Sequence, residues 1–294
     1  MSIADFVPEF WAARFRRHLD ARLVYAQPTI INRDYQGEIA GMGDTVHVQK
    51  VGTPTVKTYI KNTDIAAPER PDGGTVPLTI DTMRYFNVAI DDVDRVQTQP
   101  GLFDEWTRRA GRAMGVVIDE SVATVMIAGA GISGGDLGTS AAPITVGNGV
   151  GDDFTLYELA VEFRRRLDNN DAPDEDRWFV VPPDLEATAR LDPQFIAAGS
   201  EEMRTGIIGR VAGFDVLKTT AVPTVTKTGG ATYDSHAVLF GAGNHATTHA
   251  DQIVQIKAYE IEKQFGDGVK GLNVWGTDVI ESETLGCALV DKGA

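Results

Sequence analysis

The sequence predicts an α+β fold, and three observations carry that prediction. Apolar residues from Leu102 to Val125 recur at helical spacing over an unusually long stretch. Period-two alternation marks strands at Thr45 to Gln49 and at Ile253 to Ile261. Between the first strand and the next lie about 25 residues rich in Thr, Lys, Pro and Gly, with few apolar side chains. A compact domain rarely leaves so long a connection unsupported.

Taken in order, residues 5–26 come first. Phe6, Phe10, Trp11, Phe15, Leu19 and Leu23 fall at helical spacing with Arg14, Arg16, Arg17 and Arg22 between them. This predicts an amphipathic helix whose aromatic stripe is core. Its basic residues also suit a membrane surface, but Asp5, Glu9 and Asp20 dilute that face. Strands are predicted at Thr45 to Gln49, Leu78 to Ile80 and Tyr85 to Ile90, with the apolar-poor stretch between the first two. A two-stranded arm with no core of its own is marginal in water, so a neighbouring copy of the chain is the simplest cover.

The long helix follows Pro100, a proline suited to a first turn. A helix over residues 101–128 spans roughly 40 Å. Gly111 and Gly115 each cost it about 1 kcal/mol against Ala, so they are expected to admit a close backbone or mark a bend. Arg108, Arg109, Arg112, Asp119 and Glu120 fall largely off its apolar stripe. Residues 129–152 read as a Gly- and Ser/Thr-rich flexible connection. Thr155 and Glu158 form a capping box opening a helix that ends near Asn169. Trp178 to Val181 reads as a buried strand and Asp184 to Leu191 as a short helix. Further strands are predicted at Gly213 to Lys218, Ala237 to Phe240, Ile253 to Ile261 and Leu272 to Ile280. In the third of these, Ile253, Gln255, Lys257, Tyr259 and Ile261 are expected on one face.

Composition excludes several classes. The 294 residues are 43% hydrophobic, ample for a core of one large or two ordinary domains. No run of about 18 apolar residues spans a membrane. Asp5 and Glu9 break any basic-then-apolar leader pattern, which implies cytosolic synthesis. Cys287 is the only cysteine, so neither an intrachain disulfide nor a cysteine zinc site can form. The net charge of −15 opposes counterion-driven DNA binding. It suits solubility, and equally a container that does not stick to nucleic acid.

Chemical motifs are few. Gly129-Ala-Gly-Ile-Ser-Gly134 matches a dinucleotide-binding fingerprint but follows a helix, with no helix expected at Gly134. His245 and His249 would share a metal only on a helix, where Asp251 could join them; on a strand they stand about 13 Å apart. Surface or interface roles are the expectation for both. No G-x-S-x-G elbow occurs, and Cys287 lacks an activating basic setting. Arg164 to Arg166 near a helix C-terminus complements the dipole as well as any ligand. No catalytic, cofactor-binding or metal residue is assigned.

The order of parts resembles the major capsid proteins of tailed bacteriophages, which share the Hong Kong 97-like fold. Carrying the resemblance are Asn32-Arg-Asp-Tyr-Gln-Gly37, Val180-Val-Pro-Pro183, Gly209-Arg-Val-Ala-Gly-Phe-Asp-Val216 and Val269-Lys-Gly-Leu272. The resemblance implies an N-terminal arm (1–43), an extended loop (44–91), a spine helix with peripheral domain (92–177) and an axial domain (178–235). A tail (236–294) returns through axial and peripheral sheets. It also implies a non-enzymatic shell protein without cofactors, built of pentamers and hexamers around double-stranded DNA held without sequence-specific binding. Separate scaffolding, portal and decoration proteins would assist it. The chain would assemble in the host cytoplasm and reside in the virion capsid. Trp11, Arg14, Lys57, Tyr59, Lys61 and Arg70 are the candidate intersubunit contacts. Two rivals are an encapsulin-type protein compartment and a metal-dependent or carbohydrate-active enzyme using His245, His249 and nearby carboxylates.

Overall fold

The structure is a computed structural model. It describes residues 15–20, 22–35, 45–50, 55–65, 67–68, 74–91, 102–147, 151–192, 210–225, 235–261 and 266–292. Helix α1 covers residues 15–20. There follow β1 (Thr45–Lys50), β2 (Gly74–Thr79), β3 (Thr82–Asp91), α2 (Leu102–Gly129), β4 (Ile132–Ser133) and β5 (Ile144–Val146). The middle holds α3 (Leu156–Asn169), β6 (Arg177–Val181), α4 (Pro183–Ala189), β7 (Arg210–Val211), β8 (Phe214–Lys218) and β9 (Thr224–Val225). The last strands are β10 (Ser235–Ala242), β11 (Thr247–Glu260), β12 (Gly266–Val279) and β13 (Leu285–Lys292).

A mixed eight-stranded sheet runs β4-β13-β10-β6-β8-β7, with β5 also on β13 and β9 on β10. Its central strands are apolar on both faces, as a sheet covered on both sides requires. Phe179 and Val181 of β6, Val238 and Phe240 of β10, and Ala288 and Val290 of β13 face α3 and α4. Trp178, Val180, Ala237, Leu239 and Cys287 face the other way, toward α2 and the arm. Each fully buried Leu or Phe contributes roughly 1.5–3 kcal/mol relative to exposure, and Phe163 of α3 stacks on Phe240 with ring centroids 4.0 Å apart. The domain boundary expected between residues 177 and 178 falls inside β6, whose Phe179 and Val181 share a core with α3.

A second layer, β11-β12-β3, packs the far side of α2 through Trp275 and Ile256. The pair β1-β2 lies on that sheet through Val46, Val48, Leu78 and Ile80 against Ala250 and Val274. The order is therefore short helices, large sheet, long helix with arm, small sheet, hairpin base.

Helix α2 matches the predicted span, and the capping box of α3 is present: Thr155 Oγ1 accepts from the Glu158 N–H, and Glu158 accepts from the Thr155 N–H. Gly111 and Gly115 admit the arm. A Cβ at Gly111 would lie 3.1 Å from His18 Cβ, and one at Gly115 would lie 3.2 Å from Arg22 Cβ. Phe15, Leu19 and Leu23 are buried as the stripe predicted, while Phe6, Phe10 and Trp11 lie outside the described residues.

Three expectations need correction. Residues 129–152 are not simply a flexible connection: β4 and β5 pair in parallel with β13, and a 3-10 turn at Gly135–Leu137 follows Gly134. The isolated apolar residues Ile132, Leu137, Ile144 and Val146 are what fix it to the core. Strand β13, unpredicted, is an interior strand of the large sheet, between β10 and the β4-β5 edge. In β11 a bulge shifts the register, so Ile253 pairs with Asn273 and Gln255 with Leu272. One alternation therefore does not run from Ile253 to Ile261.

Candidate assembly interface

Between β1 and β2, residues 55–65 form no regular element apart from a turn at 61–63, and every one is exposed. Val56 is 96% exposed, Ile65 80%, Tyr59 69% and Ile60 65%. Four large apolar groups so exposed within eleven residues present an uncovered hydrophobic surface. Lys57, Tyr59 and Lys61 lie on it and are exposed. Trp11, Arg14 and Arg70 lie outside the described residues.

The arm is fastened to its own subunit at two points. On α2, Asp119 is buried, where the helical stripe placed it among polar residues. Its carboxylate accepts from the backbone N–H groups of Val24 (2.8 Å) and Ala26 (3.1 Å), holding the turn after α1. Burial raises its pKa to about 6, against the lowering pull of those bonds. On β11, buried Asp251 takes Arg33 at 2.5 Å and Arg16 at 3.1 Å. Arg16 also reaches Asp20 at 3.2 Å. Burial alone would raise Asp251, but the neighbouring His249, Arg16 and Arg33 hold it below the usual carboxylate range. Backbone bonds from Asn32 to Thr247 and from His249 to Asn32 complete the attachment.

The chemistry weighed from sequence does not come together. His245 is exposed outside the strand, whereas His249 is wholly buried in β11 with Nδ1 2.8 Å from Thr277 Oγ1. Burial lowers its pKa to about 4. The helical spacing a shared metal needs is not formed. A Cβ at Gly129 or Gly131 would strike Val279 or Ser282 at 2.5 Å, so these glycines serve close packing. Burial pushes the Cys287 thiol up to about 12, which withholds the thiolate. Arg165 and Arg166 pair with Glu162 on their own helix, and Arg164 with Asp168.

The sequence matches the family described as phage capsid protein over residues 73–285, and the chain belongs to that family. Its fold is that of the Hong Kong 97-like major capsid proteins. No curated protein sequence matches. Among solved structures, a chain of Mycobacterium phage Che8 is similar at 22% identity and TM-score 0.63, covering 90% of each chain. The capsid of cyanophage P-SCSP1u gives 16% identity and TM-score 0.64, covering 92% of this chain and 89% of that one. The capsid of Ralstonia phage GP4 gives 14% and 0.62 over the same shares.

Proposed function

We propose that copies of this chain, as pentamers and hexamers, close into an icosahedral head shell around phage double-stranded DNA. The supporting observation is the wholly exposed segment 55–65, whose apolar side chains find cover only on another molecule. A contact of standard size buries about 1,600 Å², and many modest contacts give a strong shell without any single tight interface. Lys57, Tyr59 and Lys61, with Trp11, Arg14 and Arg70, are the proposed contact residues. The net charge of −15 keeps the wall from adhering to its contents. Assembly in the host cytoplasm, with separate scaffolding, portal and decoration proteins, completes the reading; the protein performs no catalysis. Deleting residues 55–74 should leave a subunit with native secondary structure and cooperative melting. It should not form the megadalton particles expected of the full chain in negative-stain images. Normal shells from the deletion would overturn the proposal.

A further inference from the structure

The face of β11-β12-β3 away from α2 is only partly covered by the β1-β2 base. Beyond Val274, register aligns Tyr85 with Leu272 and Gln255, then Asn87 with Lys270 and Lys257. Tyr85, Asn87, Lys257, Lys270, Gly271 and Leu272 line one open groove. Its floor is built. Gly268 has no side chain where the Tyr259 ring lies, since a Cβ there would stand 2.6 Å from Cζ. Tyr259 thereby crosses β12 and donates its hydroxyl to Asn87 Oδ1 at 2.8 Å, with the Lys270 ammonium 4.9 Å above the ring.

Two features of this groove call for a partner. Tyr85 is 76% exposed at its rim and Met83, on the same strand face, 40%. Lys257 and Lys270 stand directly opposite each other, an arrangement that destabilises a sheet by repulsion. Among the described residues neither forms an ion pair, on a chain with 42 acidic and 27 basic residues. The groove therefore suits an apolar side chain accompanied by a carboxylate. Segment 55–65 offers that pair. Lys57 lies before the turn at 61–63, and Asp64-Ile65 lies after it. Asp64 is the segment's one carboxylate, and Ile65 is 80% exposed.

We propose that the Asp64-Ile65 limb of one copy docks in this groove of a second copy. Asp64 sits between Lys257 and Lys270, and Ile65 lies against Tyr85 and Leu272. This inference rests on the reading that the segment covers a neighbour, and it names the receiving surface. Its test is a charge exchange in the full chain. Lys257→Glu with Lys270→Glu should lower particle yield at least about tenfold by placing like charges together. Asp64→Lys alone should do the same, and the three combined should recover particles. All variants should melt near the parent temperature, because these side chains are exposed. As a second readout, Ile65→Cys with Tyr85→Cys should give disulfide-linked multimers in particles, and neither single variant should, since Cys287 is buried. Full assembly of the double lysine variant, or the absence of crosslinks in intact particles, overturns the docking site. If deletion of residues 55–74 still blocks assembly in that case, the covering role of the segment survives; if the deletion assembles, both readings fall together.

Discussion

Asp251 shows how much of this subunit depends on one carboxylate. It is 1% exposed and neutralises guanidinium groups from two points of the arm, Arg16 and Arg33. Removing one partner of a buried pair typically costs about 3–5 kcal/mol, because the remaining charge is stranded. Asp251→Ala should lower stability by about that amount in urea denaturation, with the arm released first. Two other buried groups give opposite pH dependences. His249 titrates near 4 in the folded protein against about 6.5 unfolded, so the unfolded chain binds more protons between these values. Stability from this site is therefore full above about 6.5 and is lost as pH falls toward 4. Asp119 titrates near 6 folded against about 3.8 to 3.9 unfolded. Its contribution is full below the unfolded value and is lost as pH rises through 6. The two slopes, each up to about 1.4 kcal/mol per pH unit, oppose one another between pH 4 and 6. His249→Asn should tilt the stability profile upward on acidification relative to the parent, and Asp119→Asn should tilt it downward. Denaturant midpoints measured from pH 4 to 7 would read both. None of these partnerships is visible in sequence, because Arg16 and Asp251 are 235 positions apart and each reads as an ordinary surface charge.

At the scale of elements, the glycine pair of α2 decides how the arm lies. Gly111 and Gly115 stand one turn apart, and a Cβ on either would crowd His18, Leu19 or Arg22 at 3.1 to 3.4 Å. Gly115→Leu should improve helix propensity by nearly 1 kcal/mol, yet overpack a contact that has no slack. We expect a net loss of about 1–3 kcal/mol. It should appear as a lower melting temperature and faster protease cleavage within residues 15–35. This element is legible in sequence: the long stripe marks the helix, and the two glycines leave a close approach or a bend, of which the structure shows the close approach. The capping box of α3 was equally readable, since its signal is local. Strand β13 was not, although Leu285 to Val290 is one short run of small and apolar residues. Gly286, Cys287 and Ala288 carry little strand propensity. Gly286 is there because the Phe240 ring occupies the place of its side chain, with Cζ only 2.1 Å from where a Cβ would stand.

At the scale of the whole molecule, the large and small sheets among the described residues share one long helix between them, and the β1-β2 pair lies on the small sheet's other face. That layering was legible as a class, because alternation, helical stripe and order of parts all agreed. The pairing of distant strands was not, since β4 and β5 join β13 across about half the chain. The apolar-poor segment was the clearest functional signal. Its scarcity of apolar residues is readable in composition, whereas the groove proposed to receive it depends on register, which a single strand's sequence does not disclose. With 42 acidic residues against 27 basic ones, copies repel at long range and attract only where opposite charge and apolar surface coincide. That favours few, specific contacts over indiscriminate clumping.

The position of β13 also bears on timing. It is the last described strand to leave the ribosome, yet it belongs between β10 and the β4-β5 edge. Until that strand emerges, a nascent chain holds a vacant slot between β10 and the β4-β5 edge, so its largest sheet closes only after β13 has been made.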